Sequence, residues 1–401
     1  MKPLCLSFWT PPQLRPQAIL IGKMVPEWQR QGVDPMVVGY ATGTPWEIPV
    51  AVKRIPKPPR SWLGRQLPFV SRWEKQLYLE RIYRQTAPLI DQHQLDIVFA
   101  FAKPMVSNFL GAFLKRRLGV PFVAHFSDPI VDDPFHDPSP KAAREILAGE
   151  RFVLENCDRA VFVSEELMAR TLRHYPESIQ RLGRVVPHCY EAALYPPQPL
   201  SPEIPTKHPQ NPFILSHIGA YYPSRDPEPV LRALAWLKEH HPELAGRFIF
   251  ESIGGVGGYA GYSREDWQGL VNRYGVQEWV TLTPPVSYAE SLARMSRADC
   301  LLLLDADLEE SPFLPSKLID YIGSGRPVIA LTPGGSPSQR VVSQLGGWQF
   351  RHQEIEGLAA CLGELATGGR PPVMDQAYGA SFDVRHTSRK LLDIFSETLE
   401  K

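Results

Sequence analysis

The chain has 401 residues, with 43 Lys plus Arg against 43 Asp plus Glu, 43% hydrophobic and 21% charged side chains. That balance is globular, not disordered, and long enough for two or three domains. It argues against bulk nucleic-acid binding, which needs a basic excess. The zero net charge is a sum of opposites: residues 1–200 carry 25 basic and 19 acidic side chains, net +6, and residues 201–401 carry 18 and 24, net −6.

The N-terminal MKPLCLSFWTPP has a short apolar run cut by Pro11 and Pro12. It is too short for a signal-peptide core and reads as a first strand. DPMVVGY, LDIVFAF, VPFVAHF and RAVFVS follow as buried strands, with helical stretches at 18–31 and 106–118 between them. The second helix, VSNFLGAFLKRRL, ends in Lys-Arg-Arg before Gly119, which suits a helix C-terminus. Residues 51–90 hold nine basic side chains against Glu74 and Glu80, interleaved with Trp62, Leu67, Phe69, Val70 and Trp73. This mixture suits peripheral contact with an anionic membrane or grip on an anionic acceptor; a solvated, locally helical insertion is the plainer alternative. Lys53, Arg54, Trp62 and Trp73 are its candidate contact residues. No RNA-recognition module accompanies the patch.

Residues 195–212, YPPQPLSPEIPTKHPQNP, contain seven prolines and read as a linker. Beyond it FILSHIG, RFIFESIG, WVTLTP, CLLLLDA and PVIALT restart the alternation as a second sheet. The expected division is residues 1–195, a linker 196–212, a second domain 213–378 and a terminal helix 379–401. Two parallel α/β domains in succession imply ligands outside the carboxyl ends of the strands. Five scattered cysteines without a CxxC pair fit reduced thiols in a cytoplasmic protein. No apolar run reaches the length of a membrane-spanning helix.

The richest segment is Ser311–Leu331, SPFLPSKLIDYIGSGRPVIAL. Ser316 is placed to cap a helix starting at Lys317, behind a stiffening Pro315. A helix N-terminus seats a diphosphate, Lys317 adds a mobile cation, and Asp320 is placed to accept from vicinal sugar hydroxyls. A plain capped helix between strands is the alternative. A competing motif, GGVGGYAG at 254–261, contains Gly255-x-Gly257-x-x-Ala260 and resembles a dinucleotide fingerprint. It sits on a later strand, and Glu278 precedes the next strand instead of ending it, contrary to an NAD site. A glycine-rich strand end lining a ligand cleft, with Gly254, Gly255 and Val286, explains it as well.

The Ser311–Leu331 segment, with SHIGAYYPSRDPEPVLRAL upstream and GVPFVAHFSDP in the first half, resembles glycosyltransferase family 4 over nearly the whole chain. The resemblance implies an α/β protein of the GT-B fold, two Rossmann-like parallel-sheet domains facing a central cleft. It implies transfer from a nucleotide-sugar donor to a glycan or glycolipid acceptor, with retention of configuration. Fixed positive charge and helix N–H groups at the leaving diphosphate, and no visible His and Asp ligand cluster, lead to the expectation of no metal or other cofactor. Surface polysaccharide or glycolipid synthesis is the implied setting, and the terminal helix would cross back onto the first domain.

In such enzymes a glycine after the first strand of the second domain precedes a basic residue that touches the diphosphate. Gly219 and Arg225 stand at that spacing. The family's paired glutamates, separated by seven residues, are only half present: Asp320 matches the second, Pro312 falls at the first, and Glu309 and Glu310 lie close by. In the first domain Asp128 and His125 are the candidate catalytic residues, and the base if the reaction inverts. The family's glycine loop after the first strand is replaced by TPPQLRPQAIL, whose Arg15 joins the acceptor patch. A non-catalytic GT-B scaffold and a nucleotide-sugar epimerase remain alternatives. Residues 51–90 alone carry +7, so the basic half owes its excess to that patch.

Overall fold

In the computed structural model, residues 1–13, 15–41, 50–58, 68–196, 212–222, 224–256 and 261–400 are described, residues 68–73 by their backbone alone. Trp62 and most of the proline-rich stretch, residues 197–211, lie outside the described residues, as does the side chain of Trp73. The chain divides into two units, Met1–His188 with Val384–Lys401, and Cys189–Asp383.

The first unit is a seven-stranded parallel sheet of β1 (Pro3–Leu6), β2 (Met36–Tyr40), β3 (Ala51–Ile55), β4 (Ile97–Ala100), β5 (Phe122–Phe126), β6 (Arg159–Phe162) and β7 (Gly183–Val185). Their order is β3-β2-β1-β4-β5-β6-β7. The five inner strands are buried along their whole length. Such continuous apolar runs are what parallel strands covered on both faces require. The expected helix at 18–31 spans Pro16–Arg30, with Pro16 at its first turn. Val106–Leu118 ends where expected, at Gly119 with a left-handed φ of 73°. Its basic end is used: Lys115 pairs with Asp158 at 2.9 Å and Arg117 with Glu80 at 2.8 Å.

Segment 51–90 contributes two regular elements among the described residues. Ala51–Ile55 pairs with β2 as the sheet edge, and Pro68–His93 is the helix leading to β4. Lys53 and Arg54 are therefore strand residues, both half-buried. The helix Val384–Leu399 packs within this same unit. The Phe395 ring lies 5.9 Å from Trp28 and 5.2 Å from Phe99, and the Gln31 amide donates to the Arg385 carbonyl at 3.1 Å.

The second unit holds β8 (Phe213–Ile218), β9 (Phe248–Ile253), β10 (Val280–Thr283), β11 (Cys300–Leu304), β12 (Val328–Leu331) and β13 (Trp348–Phe350). They run parallel in the order β10-β9-β8-β11-β12-β13. Its core gathers Phe250, Leu302, Leu234, Leu237, Trp279 and Leu362, all buried. Strand order reverses between β1 and β4 in one sheet and between β8 and β11 in the other. Those reversals open the crevices where such sheets bind ligands. All five cysteines are free thiols. Among the described residues no helix is long and apolar enough to cross a membrane.

Candidate functional site

The segments that follow β8 and β11 bring several polar side chains of the second unit together. Leaving β8, the chain passes Gly219 at φ +130°, a conformation that disfavours any side chain. A Cβ there would lie 2.5 Å from Lys317 Nζ. Glycine is thus the residue that leaves room for the Lys317 ammonium. The same loop continues through Tyr221, stacked between His217 (5.0 Å) and Trp267 (5.3 Å), to Arg225. The Arg225 guanidinium lies 5.0 Å over the Tyr222 ring and 3.9 Å from Asp305 Oδ1 at the end of β11.

The electrostatics of this cluster favour an anion. Burial, and then the neighbouring Arg225, lower Lys317 to about 7, with Asp305 opposing. His217 is pushed well below the ordinary histidine range by burial and then by Lys317. Its Nδ1 stands 2.9 Å from the Leu302 carbonyl, so Nδ1 carries the proton. His217 Nε2 and Arg225 Nε have no hydrogen-bond partner among the described residues.

The helix Ser316–Gly323 supplies Lys317 and Asp320. The expected Ser316 cap is corrected: Pro315 is the N-cap, in an extended conformation at ψ 127°, and Ser316 is already the first helical residue, with no side-chain cap bond. Asp320 is buried and accepts from the Tyr288 hydroxyl at 2.9 Å. The Tyr195 hydroxyl donates to the Asp320 carbonyl at 2.8 Å. Tyr288 is raised far above its usual range, by burial first and then by the Asp320 charge. Gly323 is required by packing, because a Cβ would fall 2.5 Å from the Tyr195 hydroxyl. Glu309 and Glu310, near the family's first glutamate position, are exposed.

The glycine-rich strand end is partly a packing device. Gly254, at φ +67°, donates to the Thr283 carbonyl at 2.9 Å. A Cβ on Gly255 would strike the Tyr221 ring and lie 2.6 Å from Ser252 Oγ. Val286, half-buried, follows β10 next to Pro285, which lies against Gly254. Gly257 and Ala260 of the dinucleotide-like motif lie outside the described residues.

In the first unit Asp128 follows β5, pairs with Lys103 at 2.9 Å and accepts from Ser127 Oγ at 3.0 Å. His125 is buried against Phe101, 5.1 Å between ring centroids, and burial lowers it to about 3, helped by His188. His188, also buried, is lowered to about 4 by burial, with Lys23 adding to the shift and Asp128 opposing it. Arg15 occupies the N-cap position of the first helix and lies 4.3 Å over the Trp9 ring, where Lys57 also approaches at 5.7 Å. Arg54 donates to Thr10 Oγ1 and the Tyr40 carbonyl. Asp305, Tyr288, His217 and His188 belong to these sites without any signal in their spacing. A polar residue at the end of an apolar run was the one available clue, and it holds for Asp305.

Residues 19–186 match the model of the glycosyl transferase 4-like domain. A D-inositol 3-phosphate glycosyltransferase of Streptomyces scabiei is 27% identical over 239 residues, 58% of this chain and 52% of the relative. That of Streptomyces griseus is 32% identical over 158 residues, 39% of this chain and 32% of the relative. The chain thus spans about half the length, or less, of these curated relatives. Among solved structures, Anabaena HepE in complex with UDP superposes with a TM-score of 0.68 at 15% identity, covering 99% of this chain and all of that one. Sucrose-phosphate synthase of Thermosynechococcus elongatus gives 0.69 at 16% identity, covering 100% of this chain and 99% of its own. The chain thus carries a match to a glycosyl transferase 4-like domain over residues 19–186 and shares the two-unit parallel-sheet fold of these solved structures.

Proposed function

We propose that this protein moves a sugar from a nucleotide diphosphate donor to a hydroxyl of a glycan or glycolipid acceptor, in surface polysaccharide or glycolipid synthesis. One observation carries the reading: Arg225 and Lys317 converge at the strand-order reversal of the second sheet, with the Lys317 ammonium seated against Gly219. A departing nucleoside diphosphate develops negative charge, and fixed cations in a desolvated site stabilise it. Arg225 offers a planar fork of donors, Lys317 a compact charge. With two side-chain cations in that role, the reaction is read as metal-independent, so chelation should leave turnover intact. The solved relatives complexed with UDP and UDP-glucose support a nucleotide-sugar donor. Asp320 is read as the ribose contact, held by Tyr288.

Retention is favoured over inversion by the state of the candidate bases. A general base works best near its operating pH, whereas His125 is buried and lowered to about 3, and Asp128 is engaged by Lys103 and Ser127. In the retaining path the acceptor attacks from the face the diphosphate leaves, and a diphosphate oxygen takes its proton. The acceptor is assigned to strand ends of the first unit, near Asp128 and the Arg15–Trp9 pair. Residence in the cytoplasm, with peripheral membrane contact through the exposed Lys75, Arg81 and Arg84, completes the reading.

The test is turnover on a panel of nucleotide sugars with lipid and glycan acceptors, the product anomer assigned by NMR. Transfer lost in Lys317→Ala and Arg225→Ala, with nucleotide affinity falling about 10–100-fold, supports the reading. Tight nucleotide binding with no turnover would favour the scaffold, and product from donor alone an epimerase.

A further inference from the structure

Asp305 is a fully buried carboxylate at the end of β11, and the reaction as described gives it no part. Burying a carboxylate costs several kcal/mol unless it is bonded and paired, so its surroundings decide its role. Oδ1 accepts from the Ala306 amide at 2.9 Å and Oδ2 from Thr332 Oγ1 at 3.3 Å. Thr332 is itself tied to Ser336 at 2.7 Å, and His352 Nε2 lies 3.1 Å from the Asp305 carbonyl. The carboxylate is therefore held from behind and cannot swing out to seize a cation. Arg225 Nη2 stands 3.9 Å from Oδ1, an ion pair without a hydrogen bond, which leaves the guanidinium donors available.

We propose that Asp305 is a positioning residue of the donor site: its anchored carboxylate aims the Arg225 guanidinium and balances the charge of the Arg225–Lys317 pair before a donor arrives. The inference rests on the donor reading for its purpose, but the interaction itself exists without nucleotide. Two like charges otherwise drive each other toward neutrality or apart. The groups facing Lys317 are Arg225 from the loop after β8, His217 on β8 and Asp305 on β11. Among the described residues Asp305 is the anion of this group, and it opposes the lowering of Lys317.

The experiment needs no ligand. Competitive acylation of the full-length protein across pH 5–10, read by mass spectrometry at the Lys317 peptide, measures the charge state of that amine. The wild type should titrate near 7. Asp305→Asn should move the midpoint down by about one pH unit, while Asp305→Glu keeps it near the wild-type value. Asp305→Ser serves if the Asn variant does not fold. An unchanged midpoint in the neutral variants, even with lower thermal stability, overturns the proposal, since a merely structural carboxylate would leave the amine alone. Nucleotide-sugar binding by the wild type, measured in parallel, judges the donor reading separately.

Discussion

Gly219→Ala is the sharpest perturbation of the second unit, because one added carbon acts on two properties at once. At φ +130° a residue with a Cβ is strained by about 1–3 kcal/mol. In a unit of this size that should lower its melting temperature by roughly 2–12 °C. The same Cβ falls 2.5 Å from Lys317 Nζ, closer than carbon tolerates, and 3.1 Å from Cε, a tight contact. The ammonium is the free end of a flexible chain, so it moves. A charge-assisted phosphate contact worth about 1.5–3 kcal/mol should then be lost or weakened, a fall in donor affinity of about 10–100-fold. Calorimetric titration with a nucleotide sugar and thermal melts, on Gly219→Ala, Lys317→Ala and the double variant, form a double-mutant cycle. The binding losses should be strongly sub-additive, since both act through one ammonium, while the melting penalty of Gly219→Ala should persist without the lysine. Additive binding losses, or wild-type affinity in Gly219→Ala, would refute the placement of Lys317.

The depressed Lys317 gives donor binding its own pH signature: a bound diphosphate favours the ammonium, so affinity should fall about tenfold between pH 6 and pH 8, and Lys317→Arg should flatten that slope. A nucleotide sugar is the right titrant, as its doubly esterified diphosphate carries no proton near neutrality. In the first unit His125 and His188 are held neutral, at about 3 and about 4, against an ordinary 6.5. Folded pKa values below the unfolded value mean that their contribution is present above pH 6.5 and lost as pH falls toward 3; replacing both with Gln should shallow the acid limb of a stability–pH curve. Tyr288→Phe removes the hydroxyl that bonds Asp320 Oδ1 and should destabilise the second unit by about 1–3 kcal/mol, read by chemical denaturation, and should raise KM for the donor more than it lowers kcat.

Both sheets were legible in the sequence because parallel strands buried on two faces are written as unbroken apolar runs, as in Cys300–Leu304. The strands that escaped are edges. Ala51–Ile55 carries Lys53 and Arg54, Gly183–Val185 is only half-buried, and Trp348–Phe350 spans three residues, so none shows a run. The Ser316 cap fails because Pro315 offers the extended entry itself, and serine before a helical run is only a statistical cue. The spacing of Gly219 to Arg225 and the neighbourhood of Lys317 drew attention to residues that the structure brings together. Tyr288 joins them from a separate helix with no sequence signal, whereas Asp305 is marked only as a polar residue closing the apolar run of β11.

The helix Val384–Leu399 has a consequence for how the molecule is made. Trp28 and Phe99 of the first unit rest on Phe395, which the ribosome adds after the whole second unit. Domains usually complete in the order of synthesis, at about 5–20 residues per second. Here the first unit must wait for Val384–Leu399 before its aromatic core closes, and the second unit, whose chain is complete earlier, can finish ahead of it. Deleting Val384–Leu399 would therefore injure the first unit, a vulnerability set by the route of the backbone through two units.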